Sequence, residues 1–256
     1  MFAGEHTALV DVNVLPPSSD RLAPVLGYDI VVIGGSAGGI PALCSLLSAL
    51  PGDFPFPILV VQHLSAKLPS SLPAVLGRHT NLNVKWAENG ERPRPDTVYV
   101  APPDRHLLVR PGPRLALSSA ECVGWWRPAV DALFDSAAQI YGARVVGIVL
   151  SGVMWDGAKG TASIAKQGGI TIAQSEATSD HFDMPAAALD LGKADLAMSP
   201  WKIAEALQVL ADIPRLPWGE FKPSHRRICR EGAADVGCAL DARHPFPDAE
   251  WRDPQL

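Results

Sequence analysis

The chain has 256 residues, 47% hydrophobic and 19% charged, with a formal net charge of −5. That is long enough to bury a substantial core without staples, as one large domain plus tails or two small ones. The acidic balance excludes a broad nucleic-acid-binding surface, and no apolar run reaches the length of a membrane span. The N-terminal stretch lacks the basic region of a secretory signal. Four cysteines in a chain this long suggest no disulfide framework, so a cytoplasmic location is expected.

Residues 1–27 contain Pro and Ser with weak periodicity and read as an N-terminal extension. From Tyr28 short β-rich runs alternate with helical segments. The expected strands are Ile30–Ile33, Ile58–Gln62, Asn83–Ala87, Thr97–Ala101, Leu107–Arg110, Arg144–Leu150 and Ile170–Ala173. The expected helices are Pro41–Leu50, Ser70–Arg78, Arg127–Tyr141, Gly157–Lys166, Met184–Leu189 and Lys202–Leu210. Strands alternating with helices predict an α/β fold, a doubly wound and mainly parallel sheet flanked by helices. The section from Asn83 to Leu117 holds short strands and no helix, and reads as a small antiparallel hairpin insertion. Residues 28–213 thus form the catalytic-type domain. Residues 214–256 change composition toward Pro, Arg and Asp and read as a C-terminal tail, partly disordered. The tail's His225, Cys229, Cys238 and His244 are zinc-ligand types, but their spacing fits no tight zinc knuckle, and no metal is expected.

The chemistry concentrates at strand ends. After Ile30–Ile33 comes Gly34-Gly35-Ser36-Ala37-Gly38-Gly39, then a helix. Gly34-x-Ser36-x-Gly38 has the spacing of a nucleophile elbow. Its glycines permit a sharp turn, and the helix that follows offers N–H groups to an oxyanion. A dinucleotide site is the rival, but Ser36 occupies the place of its second glycine. The second strand also ends in Gln62-His63, not in a ribose-binding acid. A serine nucleophile needs a base and an orienting carboxylate. His63 follows the second strand, and Asp156 follows Val145 to Leu150. Both are expected on the same sheet edge as Ser36, in the chain order Ser, His, Asp. Taken singly, Asp156 reads first as an N-cap of the helix that follows it, and agreement among the three strand ends favours the catalytic reading.

These residues carry a resemblance. From about Tyr28 to Leu210 the chain resembles the catalytic domain of the CheB-type chemotaxis protein-glutamate methylesterases. The matching segments are Gly34 to Gly39, Gln62-His63, Glu88 to Arg92, Ala101 to His106, Arg127 to Phe134, Ser151 to Gly157 and Gln174 to Ala188. The resemblance implies that Ser36 attacks a glutamyl methyl ester, that His63 takes its proton, and that Asp156 orients His63. The Ala37 N–H would be one oxyanion donor, with Val153 at the position of the other. It implies no cofactor, a methylated receptor or other helical signalling protein as substrate, and glutamine deamidation in some members.

Departures are visible. Val153-Met154 stands where the family has Met-Gly, so a glycine able to take positive φ is missing. Trp126, beside Trp125, stands where chemotaxis members often have His. The 27 residues before Tyr28 are too few for the receiver domain that usually covers this site. Either the enzyme is constitutively active or a separate receiver protein regulates it. A catalytically impaired CheB-like signalling adaptor is the alternative function. His106 is expected to make a structural hydrogen bond, and Cys44 and Cys122 to be buried.

Overall fold

The computed structural model describes residues 27–65 and 69–213. The extension expected at 1–27 and the tail at 214–256, with its zinc-ligand types, fall almost wholly outside the described residues. In chain order the elements are β1 (Ile30–Gly35), α1 (Gly39–Ser48), β2 (Ile58–Gln62), α2 (Leu72–Leu76), β3 (Asn83–Trp86), β4 (Thr97–Val100), β5 (His106–Arg110), β6 (Arg114–Ser118), α3 (Val130–Tyr141), β7 (Val145–Val149), α4 (Ala158–Gln167), β8 (Ile170–Gln174), α5 (Asp183–Asp190), β9 (Leu196–Met198) and α6 (Pro200–Ala211). Seven strands form one sheet in the order β3-β4-β2-β1-β7-β8-β9, and every pairing in it is parallel. The α/β expectation is therefore met.

The central strands are aliphatic on both faces because helices cover both. Alternate residues of β1 point to opposite sides. Val31 and Ile33 pack with Leu43, Leu47, Ile203 and Leu207 of α1 and α6. Ile30 and Val32 pack with Val130, Leu133 and Phe134 of α3 and with Leu107 of the hairpin. Each such side chain, fully buried, contributes about 1.5–3 kcal/mol.

The middle section divides differently from the expectation. Only β5 and β6 form the antiparallel hairpin. β3 and β4 pair parallel and extend the main sheet beyond β2. The return between them, residues 87–96, contains no helix. It is held instead by the hairpin: Gly90 donates to the Leu115 carbonyl and Leu115 to that of Glu91, each at 2.8 Å. Helix α3 starts at Val130, later than Arg127. Pro128 disfavours helical backbone at the residue before it, and the first helical N–H groups are claimed by a side chain from another loop.

Strand β1 connects to β2 on one side of the sheet, and β7 lies against its other flank. The C-terminal ends of β1 and β7 thus form the topological switch point, where doubly wound sheets place their ligands.

Candidate active site

Ser36 follows the last residue of β1. Gly35 pairs in register with Gln62, so Ser36 and His63 are the next positions on adjacent parallel strands. The His63 N–H donates to the Gly35 carbonyl at 3.0 Å, and the Ser36 N–H donates to the Ser151 carbonyl at 2.9 Å. Buried Gln62 donates from Nε2 to the Ser36 carbonyl at 2.6 Å. The elbow is therefore fixed from β2 on one side and from the β7 loop on the other.

Ser151 performs much of the fixing. It is fully buried, donates from Oγ to the Ala37 carbonyl at 2.8 Å and accepts from the His181 N–H at 2.9 Å. Its own N–H goes to Gln174 Oε1 at 2.8 Å. The close approach explains two glycines. Gly38 has φ 74, and a Cβ there would lie 2.5 Å from Ser151 Oγ; one on Gly152 would lie 2.9 Å from Ser36 Cβ. Helix α1 begins at Gly39, and among the described residues neither the Ala37 nor the Val153 N–H has a backbone acceptor. Donors of that kind are what an oxyanion needs.

His63 and Asp156 meet. His63 Nε2 lies 2.8 Å from Asp156 Oδ2, and both side chains are 4% exposed. An ionised carboxylate only accepts, so Nε2 carries the hydrogen and Nδ1 presents a lone pair. Nδ1 is buried and has no hydrogen-bond partner among the described residues. Such an imidazole is held at one nitrogen and available as a base at the other.

Asp156 is also a cap, though not of the helix that follows it. Its Oδ2 accepts from the Val130 N–H at 2.7 Å and its Oδ1 from the Asp131 N–H at 3.0 Å. These are the first N–H groups of α3, whose positive end favours a carboxylate. Asp131 Oδ1 in turn accepts from the N–H groups of Gly157, at 2.9 Å, and Gly160, at 2.8 Å, at the start of α4. The two helices exchange caps. Burial, then the neighbouring Asp156 charge, push the Asp131 carboxyl up to about 6.

The structure thus brings Ser36, His63 and Asp156 to one sheet edge, with Ala37 and Val153 on the loops around them. The Val153-Met154 loop keeps a left-handed residue despite the missing glycine: Met154 has φ 68. Trp126 lies face to face with His63, ring centroids 3.8 Å apart and planes 9° from parallel, whereas Trp125 is 74% exposed. His106 is buried and donates from Nε2 to the Glu121 carbonyl at 3.0 Å, because its Nδ1 accepts from the Ala129 N–H. Cys44 is half-buried, but Cys122, expected inside, is exposed; it lies on the loop before Trp126. Sequence reasoning gave no role to Ser151 or Asp131. For Asp131 a signal was available: an acid two residues into a helix that starts after a proline.

A parallel doubly wound sheet with a serine elbow and a buried His–Asp pair at its switch point has the makings of a hydrolase. The chain belongs to the CheB methylesterase family: the family model described as CheB methylesterase matches residues 31–207. A putative protein-glutamate methylesterase/protein-glutamine glutaminase of Leptospira interrogans is 37% identical over 180 residues, covering 70% of this chain and 93% of that protein. Protein-glutamate methylesterase FrzG of Myxococcus xanthus is 39% identical, over 77% of this chain and 60% of its own length. Protein-glutamate methylesterase/protein-glutamine glutaminase 2 of Caulobacter vibrioides is 40% identical, but the match spans only 54% of its length. Among solved structures, the Thermotoga maritima CheB methylesterase catalytic domain aligns with a TM-score of 0.68 and 38% identity, covering 71% of this chain and 98% of that one.

Proposed function

We propose that this protein-glutamate methylesterase demethylates glutamyl methyl esters on a chemoreceptor-like signalling protein, by acyl transfer through Ser36. Ser36 Oγ attacks the ester carbonyl and its proton passes to His63 Nδ1. The oxyanion is held by the N–H groups of Ala37 and Val153. The tetrahedral intermediate collapses, the ester C–O bond breaks, and His63 returns the proton to the leaving methoxide, releasing methanol. Water then attacks the acyl-serine with His63 again as base, the acyl–Oγ bond breaks as His63 returns the proton to Ser36, and a glutamate carboxylate leaves. Asp156 holds the Nε2–H and balances the imidazolium charge. Deamidation of a glutamine is the same acyl transfer with ammonia leaving.

The observation that carries this reading is the buried Nε2–Asp156 hydrogen bond of 2.8 Å on a histidine whose Nδ1 has no partner among the described residues. The adaptor alternative loses the support it drew from the Val153-Met154 loop, because Met154 keeps positive φ.

The test is methanol release from methylated chemoreceptor membranes, comparing wild type with Ser36→Ala. Wild type should release methanol, and the variant's kcat should fall roughly 10⁶-fold, the scale known for loss of a hydrolase serine. A wild type inactive on both the membranes and an activated ester would leave the adaptor reading in its place. Hydrolysis of the activated ester alone would mean a working triad with a different natural substrate.

A further inference from the structure

We propose that Trp126 is a positioning residue for His63, a stacking plate that sets the plane of the imidazole and so the direction of its basic nitrogen. This rests on the reading of His63 as the general base.

A hydrogen bond from Nε2 to Asp156 fixes one point of the ring. It leaves the ring free to swing about the line to the carboxylate, and such a swing carries Nδ1 away from the serine. A second constraint has to act on the ring plane. Trp126 supplies it, with its indole 9° from parallel to the imidazole at a centroid separation of 3.8 Å. Face-to-face contact at that distance resists rotation out of the plane through packing. When Nδ1 takes the serine proton, the resulting cation lies between the Asp156 carboxylate and an electron-rich indole face, and both stabilise it.

A plate positions only if it is itself held, and the loop around Trp126 is held on several sides. Trp126 and Val123 exchange both backbone hydrogen bonds at 3.2 Å, closing a tight turn with Gly124 at φ 61. The next residue, Arg127, donates from Nε and Nη2 to Asp104 Oδ1 at 2.8 and 2.6 Å. Its Nη1 donates to the carbonyls of Ser119 and Ala120 at 3.1 and 2.9 Å. Further along, the Val130 N–H donates to Asp156 itself at 2.7 Å. The two groups that hold His63, an indole at one face and a carboxylate at one edge, are therefore joined through a short length of backbone. The neighbouring indole marks the contrast, since Trp125 projects 74% exposed into solvent.

The experiment compares full-length wild type with Trp126→Ala, Trp126→Leu and Trp126→Phe. Leu keeps much of the apolar bulk without a ring, and Phe keeps a ring. Three quantities are read: kcat and KM on p-nitrophenyl acetate, the melting temperature, and the NMR signal of the His63 Nε2 proton in its hydrogen bond to Asp156. For Ala and Leu the expectation is a fall of about 10–100-fold in kcat, the scale of a misplaced catalytic group, with KM within twofold. Their imidazole proton signal should broaden or vanish, and Phe should recover most of both losses. Equal kcat in wild type and Leu would overturn the proposal. So would a loss confined to KM, or a Phe variant as impaired as Ala. If Ala does not fold, Leu against Phe decides. A wild type that fails to cleave the ester counts against the esterase reading, while an unchanged imidazole signal in Leu would still overturn the role given to Trp126.

Discussion

Helices α3 and α4 begin in the same way and end up with different jobs. Each start is capped by a carboxylate from the other helix's neighbourhood: Asp156 accepts from Val130 and Asp131, and Asp131 accepts from Gly157 and Gly160. The difference is one further partner. Asp156 also binds His63 Nε2; Asp131 has no imidazole. One carboxylate thus caps α3 and also holds the histidine at the end of β2. Substituting both caps should separate the shared role from the added one. Asp156→Asn leaves a carbonyl oxygen for the helix but takes away the charge and the acceptor geometry that hold His63. Its kcat on an activated ester should fall roughly 10⁴-fold, as for the equivalent change in other triads. At pH 3, where the Asp131 carboxyl carries its proton in the folded protein, Asp131→Ala should cost stability through the lost cap, roughly 0.5–2 kcal/mol, measured by urea unfolding. An Asp156→Asn enzyme of near wild-type kcat would mean that Asp156 only caps.

The comparison sharpens when pH is varied. Burial and the Asp156 charge raise the Asp131 carboxyl from 3.8 to about 6. The folded state therefore holds this proton more tightly than the unfolded chain does. The stability contributed by that protonation is complete below pH 3.8 and is lost as pH rises to about 6. The ionised carboxyl then costs the folded state on the order of 3 kcal/mol. Asp131→Asn keeps an oxygen for the Gly157 and Gly160 N–H groups and cannot ionise. Relative to wild type, it should gain stability across that window and keep the gain at pH 8. Urea unfolding of both proteins at pH 4, 6 and 8 checks this. A stability difference that stays flat over the range would show that Asp131 is not titrating there.

Some of this arrangement is legible in the sequence and some is not. Ile58–Gln62 needs only a run of aliphatics ending in a polar pair, and its bounds were legible outright. That Ser36, His63 and Asp156 gather was legible because Ser36 and His63 directly follow such runs and Asp156 lies on the loop after another, and a parallel sheet brings strand ends to one edge. The three-residue β9 was not, being too short for any periodicity. The parallel placement of β3 and β4 was hidden as well, since a helix-free return looks like a hairpin loop. The sequence offers Asp156 either as a cap or as an orienter. Its carboxylate makes both kinds of contact, and the helix it caps comes earlier in the chain. That exchange depends on α3 lying beside α4, which no local pattern encodes.

The smallest effect belongs to the loop that leads into Asp156. Met154 holds φ 68, a left-handed conformation in which a Cβ crowds the following carbonyl at a cost of about 1–2 kcal/mol. The strain persists because its flanks are fixed. On one side Gly152 exchanges hydrogen bonds with His181 and Met184, at 3.0 and 2.9 Å; on the other Asp156 is locked to α3. Met154→Gly removes the crowding, although it also loosens the unfolded chain, which takes back part of the gain. The expected net effect is a stabilisation of about 1 kcal/mol or less, seen as a rise of roughly 2–4 °C per kcal/mol in melting temperature. Met154→Ala retains the Cβ and should show no such rise. Esterase kcat should stay close to wild type in the glycine variant, because the backbone that carries Val153 and Asp156 already has the shape a glycine would adopt. A large fall in kcat would mean that the Met154 side chain itself takes part in binding the substrate.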